Sequence, residues 1–242
     1  MIITITGFDG VGKTTTVELL GKRLSELYGG RFISIFDVVK SEVYEENGEL
    51  EVIYDVLKDY DIIATRFYMR KKSLQKLQEQ IMFTDSSIFN NSELVKKVAE
   101  IAKSEATIWY DKVIKKLINQ NKTIIYDRYW YDEVAYRSLY HIPQKFIEEL
   151  YMGYQEPDIK IFLYGGIPLI KTRNERRDDM RTALFSSEEK IYELFQNLNV
   201  IASKYEMSKI NVENKTREYI VNKILEIIQI NKIQKLGDKK QL

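Results

Sequence analysis

The chain has 242 residues, 37 basic against 36 acidic, with no cysteine and a single histidine. That length suits one α/β core and demands no second domain. The near-zero net charge sets up no global field to recruit nucleic acid or an anionic membrane, and the lack of cysteine excludes disulfides and thiolate metal sites. No uninterrupted apolar run is long enough to span a bilayer. The first apolar stretch has no basic segment ahead of it, so no signal peptide is read and a cytoplasmic protein is expected.

Residues 2–6 are apolar and β-branched, as a buried parallel strand requires. Residues 14–27 carry Val17, Leu20, Leu24 and Leu27 at helical spacing. Between them stands Gly7-Phe-Asp-Gly-Val-Gly-Lys-Thr-Thr15, a G-x-x-x-x-G-K-T run in the strand-to-helix context of a phosphate loop. Gly7, Gly10 and Gly12 let the backbone turn tightly and aim its N–H groups inward, and the helix start adds its positive end. Lys13 is expected to stand exposed in the cleft and reach the outer phosphates, while the Thr14 hydroxyl ligates Mg²⁺. Asp9, Val11 and Thr15 complete the expected ATP-binding loop.

Tyr28-Gly-Gly30 ends the helix, and residues 32–36 read as a second strand that delivers Asp37 at its carboxyl end. Residues 41–61 are acidic and unassigned apart from a turn at Asn47-Gly48. Residues 62–82 read as helical and include Arg66 and Arg70, with a loop or break at 83–91. A long helix, for which Ser92 is a cap, is expected over 92–119. A third strand over 123–126 delivers Asp127-Arg128-Tyr129, and His141 reads as a turn residue ahead of Pro143. Pro157 opens a fourth strand over 159–164, and Pro168 starts a helix into the arginine-rich 173–179. A helix over 188–205, a fifth strand over 209–212 and a last helix over 216–230 follow. The domain is expected to cover 1–236, with a frayed tail over 237–242. Alternating strands and helices predict an α/β fold, a five-stranded parallel sheet with helices on both faces. Its ligands bind beyond the carboxyl ends of the strands, where the phosphate loop, Asp37, Asp127 and Gly165-Gly166 all fall.

Asp127, ending an apolar strand, suits a metal ligand opposite the phosphate loop. Arg128 offers a planar fork for a phosphoryl group, and Tyr129, Trp130, Tyr131 and Tyr136 offer aromatic surface to a base. The phosphate loop with its aspartate, then Asp127-Arg-Tyr129, Ala135-Tyr136, the proline-initiated strand and Thr172-Arg-Asn-Glu-Arg-Arg177, together resemble the thymidylate kinase family. The resemblance implies a P-loop NTPase fold with an arginine-rich lid at about 172–186. It implies transfer of the ATP γ-phosphoryl group to dTMP or a related nucleotide, with Mg²⁺, small-molecule nucleotides as partners, and a homodimer through helices flanking the sheet. It assigns Asp9 to the acceptor sugar hydroxyl, Lys13 to the transferred phosphoryl group, Arg128 to the acceptor phosphate and Asp127 to the metal and acceptor side, while Tyr129 and Tyr136 are counted with the acceptor site for their aromatic surface. Because Val11 replaces a loop arginine found in some members, the catalytic cation is sought at Arg176 or Arg177, flanked by Arg173 and Arg181.

Two departures accompany the likeness. The family's second strand ends in an Arg-Glu-Pro clamp on the acceptor phosphate, which residues 36–40 lack, leaving Arg66 and Arg70 as replacements. Asp132, Glu133 and Arg137 stand where bacterial members usually carry small polar residues and A-Y-Q. Asp37 supports an alternative reading, a deoxynucleoside kinase with that carboxylate as general base. A non-catalytic ATP-binding regulatory module is a third.

Overall fold

The protein is represented by a computed structural model in which residues 1–39, 43–45, 47–72, 75–76, 92–175 and 188–238 are described. Strand β1 (Ile2–Gly7) is buried along its whole length, as expected of a strand covered on both faces. On either side of it run β6 (Thr123–Asp127) and β7 (Ile159–Tyr164), both parallel to it, with Ile5 beside Asp127 and Gly7 beside Leu163. Beyond β6 come β4 (Ile62–Arg66) and then β2 (Phe32–Ser34), and beyond β7 comes β8 (Ser208–Asn211). The order is β2-β4-β6-β1-β7-β8, parallel throughout. A separate parallel pair joins β3 (Val43–Tyr44) to β5 (Arg70–Lys71).

The sheet therefore has six strands where five were expected, and the added one is β4. Its run Ile62-Ile63-Ala64-Thr65, expected to be helical, is fully buried between β2 and β6. A short continuous apolar run fits either a buried helix or a buried strand, and here the vacant edge of β6 decides. The second strand is shorter than expected, because Ser34 stops it. Its hydroxyl accepts from the Phe36 N–H at 3.4 Å, and its own N–H donates to Asp37 Oδ2 at 3.1 Å. That capping box starts α2 (Ile35–Val38) in place of further strand.

Helix α1 (Lys13–Tyr28) packs over β4 and β6 and against α10 (Arg217–Asp238). A second group of helices, α6 (Trp130–Ser138), α7 (Gln144–Tyr151) and α9 (Glu188–Lys204), includes α6 against β1. Asn47-Gly48, expected as a turn, instead begins α3 (Asn47–Leu57), which buries Leu50, Ile53 and Leu57 along one face. The expected helix over 92–119 forms as α4 (Ser92–Trp109) and α5 (Lys115–Asn119), joined by a π turn at Tyr110–Ile114. The extra residue of that turn re-aims the helix face, so Trp109, Val113, Ile114 and Leu117 are all buried. Val95, Val98, Ala99, Ala102 and Ala106 of α4 also lie in this chain's own interior. The last helix runs to Asp238, and the remainder of the tail expected to fray over 237–242 lies outside the described residues. His141 occupies a turn with φ 59°, as read. Among the described residues no helix is long and apolar enough to cross a membrane.

Candidate active site

The phosphate loop leaves β1 at Gly7, whose φ of 152° and whose closeness to β7 both require glycine. A Cβ there would lie 2.3 Å from the Leu163 carbonyl oxygen. Gly12, at φ 92°, hands the chain to α1. The Lys13 ammonium turns back onto the loop, donating to the Gly7 carbonyl at 2.9 Å and the Phe8 carbonyl at 2.8 Å. It lies 3.9 Å from Asp9 Oδ1. The side chain was expected to stand exposed in the cleft, but only 5 % of it is accessible, because the loop's carbonyls supply acceptors that water otherwise would. Burial, and next the Arg128 charge, lower its pKa to about 7 against the pull of Asp9, Asp127 and Asp132.

A measurable consequence attaches to that shift. A bound polyphosphate favours the ammonium and raises the lysine's pKa. ATP binding between pH 7 and 10.5 is therefore expected to take up protons, most strongly near pH 8 to 9, and not below about pH 7, where the lysine is already charged. Calorimetry in buffers of different ionisation enthalpy checks this. An uptake that survives in Lys13→Met assigns the proton to another group.

Asp127 ends β6 and lies beside Arg66, the last residue of β4, in the sheet register. Its Oδ2 accepts from the Thr14 hydroxyl at 2.5 Å and pairs with Arg66 Nη1 at 3.0 Å. Its Oδ1 is buried and, among the described residues, has no hydrogen-bond partner. The Phe36 ring of α2 lies 5.5 Å from the Arg66 guanidinium. Thus β4, not β2, supplies the strand next to β6, and Arg66 arrives at the cleft from its end. The second strand expected over 32–36 is the edge strand, Phe32–Ser34, followed by the short helix α2.

Arg128 adopts φ 74°, a left-handed conformation that costs a residue with a Cβ about 1–2 kcal/mol. Its N–H donates to the Ile5 carbonyl at 3.0 Å, and its guanidinium pairs with Asp9 and, at 3.2 Å, with Asp132. The same guanidinium stands 5.2 Å from the Tyr136 ring centre, while the Tyr136 hydroxyl donates to Asp9 Oδ2 at 2.7 Å. Asp9 is thereby held from three sides, by Arg128, Tyr136 and, more distantly, Lys13. Asp132, which sequence reasoning gave no site role, is buried under this group. It accepts from the Thr6 hydroxyl at 2.9 Å and the Tyr129 N–H at 3.2 Å, and burial raises its pKa despite Arg128. A carboxylate three residues past the start of a helix was the legible signal.

Other expected site residues lie elsewhere. Asp37 is exposed and spent on the α2 cap. Tyr129 is buried, its ring among Phe67, Tyr126, Trp130 and Tyr131 and its hydroxyl on the Gln155 carbonyl at 2.7 Å. It offers no face to a base. Arg70 belongs to the β3–β5 pair. Arg173, on α8 (Ile167–Glu175), reaches the phosphate loop and donates to the Gly10 carbonyl at 3.0 Å. Arg176, Arg177 and Arg181 lie outside the described residues.

Comparison with known proteins bears on this arrangement. A protein-family model described as thymidylate kinase matches residues 97–224, more than half of the chain and including Asp127-Arg-Tyr129. The chain belongs to the thymidylate kinase family. Membership carries the coarse chemistry of that family, phosphoryl transfer among nucleotides. A probable thymidylate kinase of Methanocaldococcus jannaschii is 21 % identical over 227 residues, covering 93 % of this chain and 94 % of the relative. The crystal structure of thymidylate kinase from Ehrlichia chaffeensis superposes with a TM-score of 0.57 at 21 % identity, covering 94 % of this chain and 98 % of the other. That likeness shows the shared fold of the family member. The phosphate loop at 7–15 lies ahead of the matched stretch, so its geometry and the family match are independent observations.

Proposed function

We propose that the chain transfers the γ-phosphoryl group of ATP to a nucleoside 5′-monophosphate, with dTMP or a close relative as acceptor. The observation that carries this reading is the pair of guanidinium groups, Arg66 and Arg128, at the carboxyl ends of adjacent strands. Each is held by a carboxylate beside the phosphate loop. Two arginine forks suit a dianionic acceptor; a neutral nucleoside hydroxyl needs a base instead, and Asp37 is occupied as a cap.

In this reading the loop N–H groups and Lys13 hold the ATP phosphates, and Arg173 steadies the loop through Gly10. The third hydrogen of the Lys13 ammonium, the first two being on carbonyls, is left for a phosphoryl oxygen. Arg66 and Arg128 orient the acceptor phosphate in line, Asp9 receives the sugar hydroxyl, and Tyr136 walls the sugar. Arg176 or Arg177 brings the cation that meets the transferring group. Thr14 and Asp127 fit Mg²⁺: both are hard oxygen donors, 2.5 Å apart, and Asp127 keeps one buried oxygen without a hydrogen-bond partner. Among the described residues no group of three or more carboxylates or imidazoles stands ready for a metal, which agrees with an ion held largely by substrate phosphates and water. When bound, the ion neutralises charge on the phosphate oxygens. The chain's own part is positioning and charge, with no covalent intermediate.

A coupled ADP-release assay across nucleosides and their monophosphates tests the reading. Monophosphates are expected to turn over and nucleosides not. Arg66→Ala is expected to raise the acceptor KM by about 10- to 100-fold, the worth of one charge-assisted contact. Asp37→Asn should leave kcat within about twofold, since it touches only a helix cap. The reverse pattern, with Asp37→Asn lowering kcat and Arg66→Ala silent, returns the deoxynucleoside kinase.

A further inference from the structure

One buried carboxylate beside the cleft has no part in the reaction as proposed above. Asp132 lies on α6 with its side chain 4 % exposed, at a position where the chain departs from the small polar residue usual in bacterial members of the family. Its Oδ2 is committed to the scaffold, accepting from the Thr6 hydroxyl of β1 at 2.9 Å and from the Tyr129 N–H at 3.2 Å. The Asp132 N–H donates back to the Tyr129 carbonyl at 3.0 Å. The end of β1 and the first turn of α6 thus hold the carboxylate between them. Among the described residues its Oδ1 serves Arg128 Nη1, at 3.2 Å.

Arg128 needs such a hold. It stands between β6 and α6 at φ 74°, where neither strand nor helix geometry aims its side chain. Two carboxylates aim it instead, Asp132 on Nη1 and Asp9 on Nη2. Burial opposes the guanidinium charge, and Asp9, Tyr136 and Asp132 more than offset it. The two holds differ in kind. Asp9 belongs to the phosphate loop, is shared with Tyr136 and, at 3.9 Å, with Lys13, and is the carboxylate assigned to the acceptor sugar. Asp132 has no such second duty. A guanidinium carries five N–H donors; these two contacts use one on each Nη, so three remain for a phosphate dianion. A planar fork that meets its anion through two bonds depends on the plane being fixed beforehand.

We propose that Asp132 is a positioning residue of the acceptor site: it fixes the Arg128 guanidinium from the scaffold side, so that the fork stays aimed at the acceptor phosphate while Asp9 serves the sugar. The proposal rests on the monophosphate kinase reading and adds a residue that acts through Arg128 without touching substrate. It separates phosphate from nucleoside. Loss of the Asp132 hold weakens only a ligand that brings a phosphate to Arg128, whereas a carboxylate that served the fold alone would weaken every ligand of the cleft alike.

The test measures calorimetric binding of dTMP, thymidine and ATP to the full chain, and ADP release with nucleoside monophosphates, for the wild type, Asp132→Asn and Thr6→Val. In Asp132→Asn the amide oxygen keeps both Oδ2 contacts, and the amino group takes the place of Oδ1, setting donor against donor at Arg128. Its dTMP affinity is expected to fall by about 10- to 100-fold, the worth of one charge-assisted contact. Thymidine and ATP affinities are expected to stay within about twofold, as for sites that share no partner. Thr6→Val keeps the Asp132 charge and the β-branched shape but removes one of the two bonds on Oδ2. It should cost dTMP about three- to tenfold, which decides the matter if Asp132→Asn fails to fold. Thymidine and dTMP weakened alike, or dTMP unmoved in the folded variants, overturns the proposal and leaves the kinase reading standing. A selective loss of dTMP affinity in a chain that releases no ADP with any monophosphate overturns the kinase reading and leaves Asp132 in its role. A wild type that binds dTMP no better than thymidine grips no phosphate, and that overturns both.

Discussion

Lys13→Ala is expected to lower kcat on the order of a thousandfold, in keeping with the loss of a preorganised charge at the transferring group, while the melting temperature stays level or rises. The reason for the first effect is position: the ammonium is the cation between the loop carbonyls and Asp9. The second effect follows from burial. A lysine that titrates near 7 in the folded chain and near 10.5 when free binds fewer protons folded than unfolded between those values. Stability of the wild type therefore increases as pH rises from about 7 toward 10.5, and the cost of burying the ammonium is fully present below about 7. Alanine removes that cost, so any stability advantage of the variant should be greatest below pH 7 and shrink toward pH 10.5. Single-turnover kinetics and melting curves across this range check both parts. Retained turnover in a folded variant removes Lys13 from the chemistry, and a lower melting temperature at neutral pH makes it a strut of the loop.

Asp127→Asn is expected to cost about 10²- to 10³-fold in kcat and to raise the Mg²⁺ concentration needed for half-maximal rate, since a single electrostatic contact to the reacting centre is worth that much. One carboxylate here faces both the Thr14 hydroxyl and Arg66 and keeps a buried second oxygen. The amide has the same shape, but it lacks the negative charge that balances Arg66 and that a hard cation prefers. Its oxygen must face Thr14 and Arg66, so its amino group takes the place of Oδ1, where a cation would meet a donor. Rate measured against Mg²⁺ at fixed ATP separates the causes. An unchanged metal requirement with a lower rate restricts Asp127 to holding Arg66, and an unchanged rate removes it from the site.

Legibility in the sequence followed how local each feature is. The Gly7–Thr15 loop was readable because its function depends on backbone turns and a lysine at contiguous positions. Asp127 and Arg128 were readable because an apolar run that breaks into charge marks the end of a buried strand. The partners of Asp9 were not, since Arg128 and Tyr136 lie 119 and 127 residues further along the chain. Tyr129 was misplaced for a related reason. An aromatic residue beside a motif suits a cleft or a core equally well, and the Phe67–Tyr126–Trp130 cluster claimed it.

By itself the sequence determined the parallel α/β class, the phosphate loop and the strand end that carries Asp127 and Arg128, all of which rest on short-range sterics and on apolar runs that only burial explains. The tertiary structure alone decided which strand lies beside β6, and hence that Arg66 and not Asp37 enters the cleft. Ile62-Ile63-Ala64-Thr65 can form a helix or a strand at similar intrinsic cost, and a local hydrogen-bond choice at Ser34 turns the preceding segment away from the site. The balance is set by the open edge of β6, whose N–H and C=O groups must be paired once buried, and no residue within 62–66 records that requirement.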